Sequence, residues 1–275
     1  MLKLVINCGP CEEFIEKCLD SVRSQSFSHW DAYVTVDPCG DRTVERALVA
    51  RGNDERIVIH CNHERQYAMV NLIDGVRRSQ ARPQDVLVVL DGDDWFATPD
   101  ALSIIDAAYQ HFDCWLTYGS WIADGAGLTG AQRGMWPAYE DSTGDFRNAR
   151  WLGTAVRTWR RWLWDLIDDN DFRDGQGRYL RVTEDQACML PMLEMAGTGR
   201  ARHIPEALMV YNRSTRHACG KTRYREMLAN SSYLRSRRAY PRLQRPPASK
   251  READLIQERI ASLRKLRDPL ARLEK

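Results

Sequence analysis

No run of 18 apolar residues occurs anywhere in the chain, so a transmembrane helix is not expected. The start carries no charged segment followed by a long apolar stretch and a cleavage site; Met1 leads straight into a short strand-like run, which predicts a soluble, cytoplasmic protein. A glycine-rich phosphate loop is also missing, since residues 7–13 contain only Gly9. Of the eight cysteines, Cys8 and Cys11 form one Cys-x-x-Cys, but no second pair follows and no histidine stands at zinc-finger spacing. A zinc finger is thereby excluded, and reduced cysteines are expected, with Cys8, Cys114 and Cys188 packing as small hydrophobes in apolar surroundings. Internal repeats are absent.

What is present is ordinary globular material: 275 residues, 43% hydrophobic and 28% charged, which excludes wholesale disorder. That length predicts one large domain, or one domain with an appendage. The net charge of +2 conceals an asymmetry. Residues 200–275 hold 20 basic against 7 acidic residues, a net of +13, and the remainder of the chain is at −11. A basic tail on an acidic body predicts a polyanionic partner, and the alternative is a solvated arginine-rich helix.

The first 120 residues alternate β and α patterns. Strands are predicted at 2–7, 32–36, 57–60 and 86–90, and helices at 12–25, 43–51 and 67–79. The run Val86-Leu-Val-Val-Leu90 is apolar throughout, as for a strand covered on both faces of a parallel sheet. Ligands of such sheets bind beyond the carboxyl ends of the strands. Farther on, 115–121 and 207–211 predict strands, and 159–167 and 186–195 predict helices. After residue 222 the pattern is helical and basic, and Ser249 with Glu252 forms a capping box for a last helix bearing Ile256, Ile260, Leu263 and Leu266 on one stripe.

The strongest chemical signal follows the apolar strand: Asp91-Gly-Asp-Asp94. Three carboxylates in four residues repel one another and add nothing to folding, but hard oxygen ligands suit Mg²⁺ or Mn²⁺ completed by substrate phosphates. The alternative is a solvated loop whose charge favours the next helix N-terminus. A separate pair, Glu184-Asp185, opens a predicted helix and supplies either a general base or charge for that helix's dipole.

With these motifs on hand, residues 2–215 resemble the family 2 glycosyltransferases of GT-A fold. The segment from Cys11 to Gln25 is similar to that family's first βα unit, and Val34-Thr-Val-Asp-Pro-Cys-Gly-Asp-Arg-Thr43 resembles its second strand and nucleotide loop, with Pro38 in place of a frequent second aspartate. Leu90-Asp-Gly-Asp-Asp94 resembles its DxD metal motif, and Thr183-Glu-Asp-Gln186 its second acidic motif. The resemblance implies an α/β GT-A fold, a mainly parallel sheet flanked by helices, with a basic helical C-terminal extension. It implies a domain over 1–225, divided into a nucleotide-sugar half (1–120) and an acceptor half (121–225), and the extension over 226–275.

By the same resemblance Asp37 contacts the donor's base, and Arg65 and Asn71 line the nucleotide pocket. Asp93 meets the ribose or the metal, Asp94 is the main metal ligand with Asp91 supporting, and Asp185 is the catalytic base. His217 is either a further metal or phosphate ligand or a surface histidine; Arg157 and Arg213 either neutralise diphosphate or face solvent. Trp115, Tyr118, Trp121, Trp136 and Trp151 form either a stacking platform or core.

The implied function is inverting, metal-dependent transfer from a nucleotide sugar, a UDP-sugar such as UDP-glucose, with Mn²⁺ or Mg²⁺. The basic tail points to a polyanionic acceptor, a hydroxymethylated base in DNA as in viral DNA-modifying enzymes, which would place the protein in the host cytoplasm. Alternatives are a cell-surface polysaccharide or lipid-linked glycan as acceptor, and, in another class, a non-catalytic polyanion-binding module. The last helix is open to self-association, to a membrane surface, or to packing on the body.

Overall fold

Four apolar runs of the sequence pair side by side and parallel in the computed structural model, which describes residues 1–124, 133–134, 137–140, 144–216 and 222–265. They are β1 (Leu2–Cys8), β2 (Trp30–Val36), β3 (Ile57–Cys61) and β4 (Val86–Asp91). The helices between them are α1 (Ile15–Arg23), α2 (Thr43–Arg51) and α3 (Tyr67–Arg78). Then follow β5 (Trp95–Phe96), α4 (Ala101–His111), β6 (Leu116–Ala123), β7 (Arg133–Gly134), β8 (Arg157–Arg160) and α5 (Arg161–Trp164). The rest comprises a 3-10 turn at Asp169–Phe172, α6 (Glu184–Ala196), β9 (Ala201–Tyr211), α7 (Tyr224–Ser236) and α8 (Lys250–Lys265).

One sheet runs in the order β3-β2-β1-β4-β8-β6-β9-β5, with β7 on β6. β8 joins β4 and β6 antiparallel, and β6 and β9 lie parallel. Along β1, Leu2, Leu4 and Ile6 enter one core and Val5 the other; along β4, Val86, Val88 and Leu90 alternate in the same way with Leu87 and Val89. Both faces are covered, which is why these strands read as unbroken apolar runs instead of alternating ones. Each such buried aliphatic side chain contributes on the order of 1.5–3 kcal/mol.

The helix predicted at 159–167 shrinks to the single turn of α5, because Trp159 belongs to β8. There it stands in register with Leu87 on one side and Leu116 on the other. Its ring stacks on Trp164 at 5.7 Å, so packing between two strands overrides the local helical pattern.

The C-terminal helices dock on the body. Leu234, Tyr240 and Ile260 are buried in the core that also holds α6, with Ala253 and Ile256 packed against it. The stripe of α8 therefore packs on its own chain; Leu266 lies outside the described residues. A buried ion pair fastens this junction: Arg147 Nε donates to Glu194 Oε1 at 2.6 Å, and both side chains are almost fully enclosed. Arg147 also donates to the Leu234 carbonyl, and Glu194 accepts the Tyr240 N–H at 2.9 Å. Where α6 ends, Gly197 takes φ +59°, a backbone conformation that strains any residue bearing a Cβ and so favours glycine.

Glu194→Ala leaves the Arg147 guanidinium and the Tyr240 N–H buried without their acceptor. It is expected to destabilise the fold by about 3–5 kcal/mol, read as the fall in denaturant midpoint relative to the native chain.

Candidate active site

Parallel pairing brings the carboxyl ends of β1, β2 and β4 to one sheet edge. In register, Asn7 stands opposite both Thr35 and Asp91, and Cys8 opposite Val36, so Asp37 follows immediately beside them. Above this edge opens a cavity of about 460 Å³, bounded on the far side by the segment that leads into α6. Asp37, Arg65, Asn71, Asp91, Asp93, Asp94 and Asp185 all line it, together with Arg157, whereas Arg213 is not among its lining residues. His217 lies outside the described residues.

Asp37 is buried, and its carboxylate organises the loop around it. It accepts hydrogen bonds from Asn62 Nδ2 (2.8 Å), the Gln66 N–H (3.0 Å) and the Tyr67 N–H (2.9 Å). Asn62 Nδ2 also donates to Asn71 Oδ1 at 2.8 Å, which fixes Asn71 on α3. Tyr67 opens that helix in the left-handed region, at φ +64°, a conformation disfavoured for an aromatic residue and sustained here by the bond to Asp37.

The acidic loop after β4 is enclosed. Asp94 is buried and accepts the Asn212 N–H at 2.8 Å. Burial, then repulsion from Asp91 and Asp93, pushes its carboxyl well above the usual range. Asp93 is pushed up to about 6 by burial and by Asp91, with a hydrogen bond from Thr215 opposing the shift. Asp91 is raised by burial, against the attraction of Arg157. The chain turns through Gly92, where a Cβ would lie 2.4 Å from Cys8 Sγ and 3.1 Å from Cys11 Sγ. The Cys-x-x-Cys thus forms the floor beneath the acidic loop, and all the cysteines of the described residues are free thiols.

Glu184 and Asp185 project from the first turn of α6, behind Thr183 at φ +74°. Burial, followed by the charges of Asp185 and Asp91, pushes Glu184 up to about 8, so it holds a proton at neutral pH. Asp185 stays a quarter exposed, with Arg157 Nη1 3.8 Å from its Oδ2. Arg157 comes from β8 and is itself largely buried, feeling Asp185, Asp91 and Glu184 together.

Among the described residues no group of three or more His, Cys, Asp and Glu side chains is arranged to hold a metal ion unaided. The residues present nevertheless fit a divalent cation that shares its shell with a ligand. Three carboxyl groups are held together against their own repulsion, and the buried Asn7 amide has neither its Nδ2 nor its Oδ1 paired. Asn212 Nδ2 is likewise buried and unpaired on the same cavity wall. Hard oxygen donors short of a full shell are the donor set of an ion that also binds phosphate oxygens.

A family model described as Glycosyl transferase family 2 matches residues 4–160, more than half of the chain. The chain belongs to that family. Among solved structures it is similar to Staphylococcus aureus TarS 1–349 in complex with UDP, with a TM-score of 0.59 at 14% identity, covering 94% of this chain and 70% of that one. The TarS 1–349 complex with UDP-GlcNAc gives the same TM-score at 13% identity, with 94% and 71% covered. Mannosyltransferase PcManGT from Pyrobaculum calidifontis, in complex with GDP-Man and Mn²⁺, aligns at a TM-score of 0.57 and 13% identity over 99% of this chain and 77% of its own. A search of the curated proteins finds no sequence match. These likenesses establish the GT-A architecture of a family 2 glycosyltransferase, and no described helix is long and apolar enough to cross a membrane.

Several residues of the cavity escaped the sequence reading. Asn7 was legible as the one polar residue near the end of an apolar strand. Tyr67, Arg181, Asn212 and Arg223 carry no local signal, because only the fold brings them to this wall. Trp115 and Tyr118 are buried in the core and are not a platform. Trp121 pairs with Tyr211 at 5.1 Å, and Trp136 lies outside the described residues.

Gly92→Ala is expected to displace the acidic loop and to lower release of nucleoside diphosphate from a nucleotide-sugar donor at least tenfold. Cys8→Ala in the same chain makes room for the new methyl group and should restore most of that rate. A steady-state assay of the native chain and both variants checks it.

Proposed function

We propose that this glycosyltransferase moves a sugar from a nucleotide-sugar donor, with UDP as the nucleotide, to a hydroxyl acceptor in one inverting displacement assisted by Mn²⁺ or Mg²⁺. The observation that carries the reading is the division of one cavity between two acidic stations. One is the enclosed loop 91–94, and the other is Asp185, bound to Arg157 on the opposite wall. The two stations do different work. Asp93 and Asp94, supported by Asp91, would hold the cation, which stabilises the negative charge of the departing diphosphate when bound.

Asp37, Arg65 and Asn71 are assigned to the nucleotide. The Asp37 carboxylate keeps the 62–67 loop in place, and the paired Asn62 and Asn71 amides shape the wall beside it. Asp185 takes the proton from the attacking hydroxyl. Arg157 orients Asp185 and attracts Asp91 as well, offsetting the repulsion between the two carboxylates. Glu184, protonated at neutral pH, adds no further negative charge to that wall. The assignment of a single base to the acceptor supports direct displacement with inversion.

For the acceptor we propose a polyanionic molecule, with a hydroxymethylated base in DNA as the first to test, and a cell-surface polysaccharide or lipid-linked glycan as the alternative. The support is the basic C-terminal third. Much of that charge is already engaged, however. Arg235 donates to the carbonyls of Arg147 and Ala149, Arg237 pairs with Asp171 at 3.0 Å, and Arg245 pairs with Glu252 at 2.6 Å.

Incubation of a nucleotide-sugar panel with hydroxymethylated DNA and glycan acceptors, followed by mass spectrometry, tests the whole reading. Asp94→Asn is expected to abolish UDP release, and EDTA to do the same in the native enzyme. Asp185→Asn is expected to reduce kcat at least 10³-fold while changing the Kd for UDP less than threefold, since the base acts on the acceptor. Full turnover in EDTA, or a normal kcat in Asp185→Asn, overturns the assignment.

A further inference from the structure

Cys8-Gly9-Pro10-Cys11 is a motif that the proposed transfer reaction leaves without work. It bridges a strand and a helix, the placement in which a Cys-x-x-Cys does redox chemistry. Cys8 ends β1, and the Cys11 carbonyl accepts the N–H groups of Phe14 and Ile15, both at 2.9 Å, in the turn that opens α1. The Cys11 N–H donates to Thr43 Oγ1 at 3.0 Å, which fixes the far end of the motif. The two side chains meet. Their thiols hydrogen-bond to each other, and a Cβ built on Gly92 would lie 2.4 Å from Cys8 Sγ and 3.1 Å from Cys11 Sγ. Both are free thiols.

Two properties separate this pair from cysteines that only pack. The first is access. Both thiols are buried, yet both line the 460 Å³ cavity, and Cys11 also lines an adjoining cavity of about 280 Å³ bounded by Glu12, Phe14 and Cys39. A small molecule that enters the site therefore reaches them. Cys114 and Cys188 are buried as well but line neither cavity. The second property is coupling. Gly92 rests on the two sulfurs and carries the acidic loop with it, while Cys18 Sγ donates to the Asp91 carbonyl at 3.8 Å and ties the loop to α1.

We propose that Cys8 and Cys11 form a redox modification site, a dithiol that a hydroperoxide closes to a disulfide and whose closure displaces the acidic loop. The chemistry balances with hydrogen peroxide as the oxidant. Cys11 Sγ attacks one peroxide oxygen, the O–O bond breaks, and Cys11 becomes a sulfenic acid while one water leaves. Cys8 Sγ then attacks Cys11 Sγ, the S–S bond forms, and the hydroxyl departs with the Cys8 proton as a second water. The two thiols lose two electrons and two protons, and the peroxide takes both. The hydrogen bond to Cys11, followed by burial, pushes the Cys8 thiol well above its ordinary value, so Cys8 stays protonated and Cys11, shared by both cavities, meets the oxidant. A disulfide holds its sulfurs at about 2.05 Å, well inside the contact distance of two thiols. Closing it draws them together, withdraws the support beneath Gly92 and shifts Asp91, Asp93 and Asp94. The bond is independent of any substrate; its consequence for turnover rests on the glycosyltransferase reading above.

Peptide mapping of the full chain tests the site. Trypsin leaves Cys8 and Cys11 in one peptide, Leu4–Lys17, which excludes Cys18. The reduced chain is treated with hydrogen peroxide and its remaining thiols are alkylated. This peptide is then expected to be two hydrogens lighter and unalkylated, and dithiothreitol to restore both alkylation sites. Hydrogen exchange over residues 86–96 should quicken in the oxidised chain and return on reduction, a readout that needs no donor. Release of nucleoside diphosphate from a nucleotide sugar should fall at least tenfold and recover with dithiothreitol. In Cys8→Ser and in Cys11→Ser the rate, whatever its level, is expected to be the same before and after peroxide, and thermal melting confirms that each variant is folded. Oxygen added to the peptide in place of lost hydrogens, a link from Cys11 to Cys18, unchanged exchange over 86–96, or equal inactivation of the serine variants overturns the proposal. A reduced chain that turns over no nucleotide sugar overturns the glycosyltransferase reading alone, and mass and exchange then decide the disulfide by themselves.

Discussion

Asp91, Asp93, Asp94, Glu184 and Asp185 bring five carboxyl groups to a cavity whose inner wall holds one buried guanidinium, that of Arg157. Much of the surrounding structure can be understood as what this concentration demands. Burial lifts each member of the acidic loop, and neighbouring charge lifts it further; Asp93 reaches about 6 and Glu184 about 8. A charge so enclosed is tolerable only if it is protonated, paired or bound to a cation. Two of these solutions apply here: burial favours the proton on Glu184, and Asp185 faces Arg157. The third, a cation at the acidic loop, belongs to the function proposed above, in which a nucleotide-bound ion would relieve the repulsion among Asp91, Asp93 and Asp94.

Holding the arrangement apart falls to the sheet. Parallel pairing of β1, β2 and β4 aligns their carboxyl ends: the register places Thr35, Asn7 and Asp91 in one row, and Asp37 follows directly after the end of β2. The opposite wall comes from β8 and α6, which enter after the direction of the sheet has reversed. The two acidic stations therefore ride on different structural units. Their separation does not depend on side-chain reach, which suits the reaction proposed above, in which one group would hold a cation at the leaving diphosphate and the other would remove a proton.

The difference between what was legible in the sequence and what was not follows this division. Segments that pack along their own length announced themselves: α2 spans Thr43–Arg51 as its pattern predicts, and β4 is an apolar run ended by aspartate. The acidic loop was legible because three adjacent carboxylates make no sense in a fold without a ligand. Trp159 was misread because its neighbours, Leu87 and Leu116, are distant in sequence and make it a strand residue. Arg157 drew only a weak signal, since a single arginine among many has no local mark; its burial beside Asp185, where it also attracts Asp91, is a property of the closed fold. The same is true of Arg65, Arg181 and Arg223 around the Tyr67 ring, which are spread from residue 65 to residue 223.

The basic tail illustrates how a compositional signal changes meaning once it is folded. An excess of +13 over the last 76 residues reads, in one dimension, as a stripe for a polyanion. In three dimensions Arg237 is consumed by Asp171, Arg235 and Arg238 by main-chain carbonyls, and Arg242 lies across Gly197. These guanidiniums seal α7 and α8 to the body, as their burial of Leu234 and Ile260 requires, because helix ends and loops left facing a core need donors for their carbonyls. Net charge is thus a poor locator of a binding surface when the charged groups have structural partners. Arg65, Arg181 and Arg223 are fewer, yet they converge on the ring of Tyr67 at the wall of the cavity itself. Convergence on a cavity, more than abundance along the chain, is what separates a group placed for a ligand from one that fastens a helix.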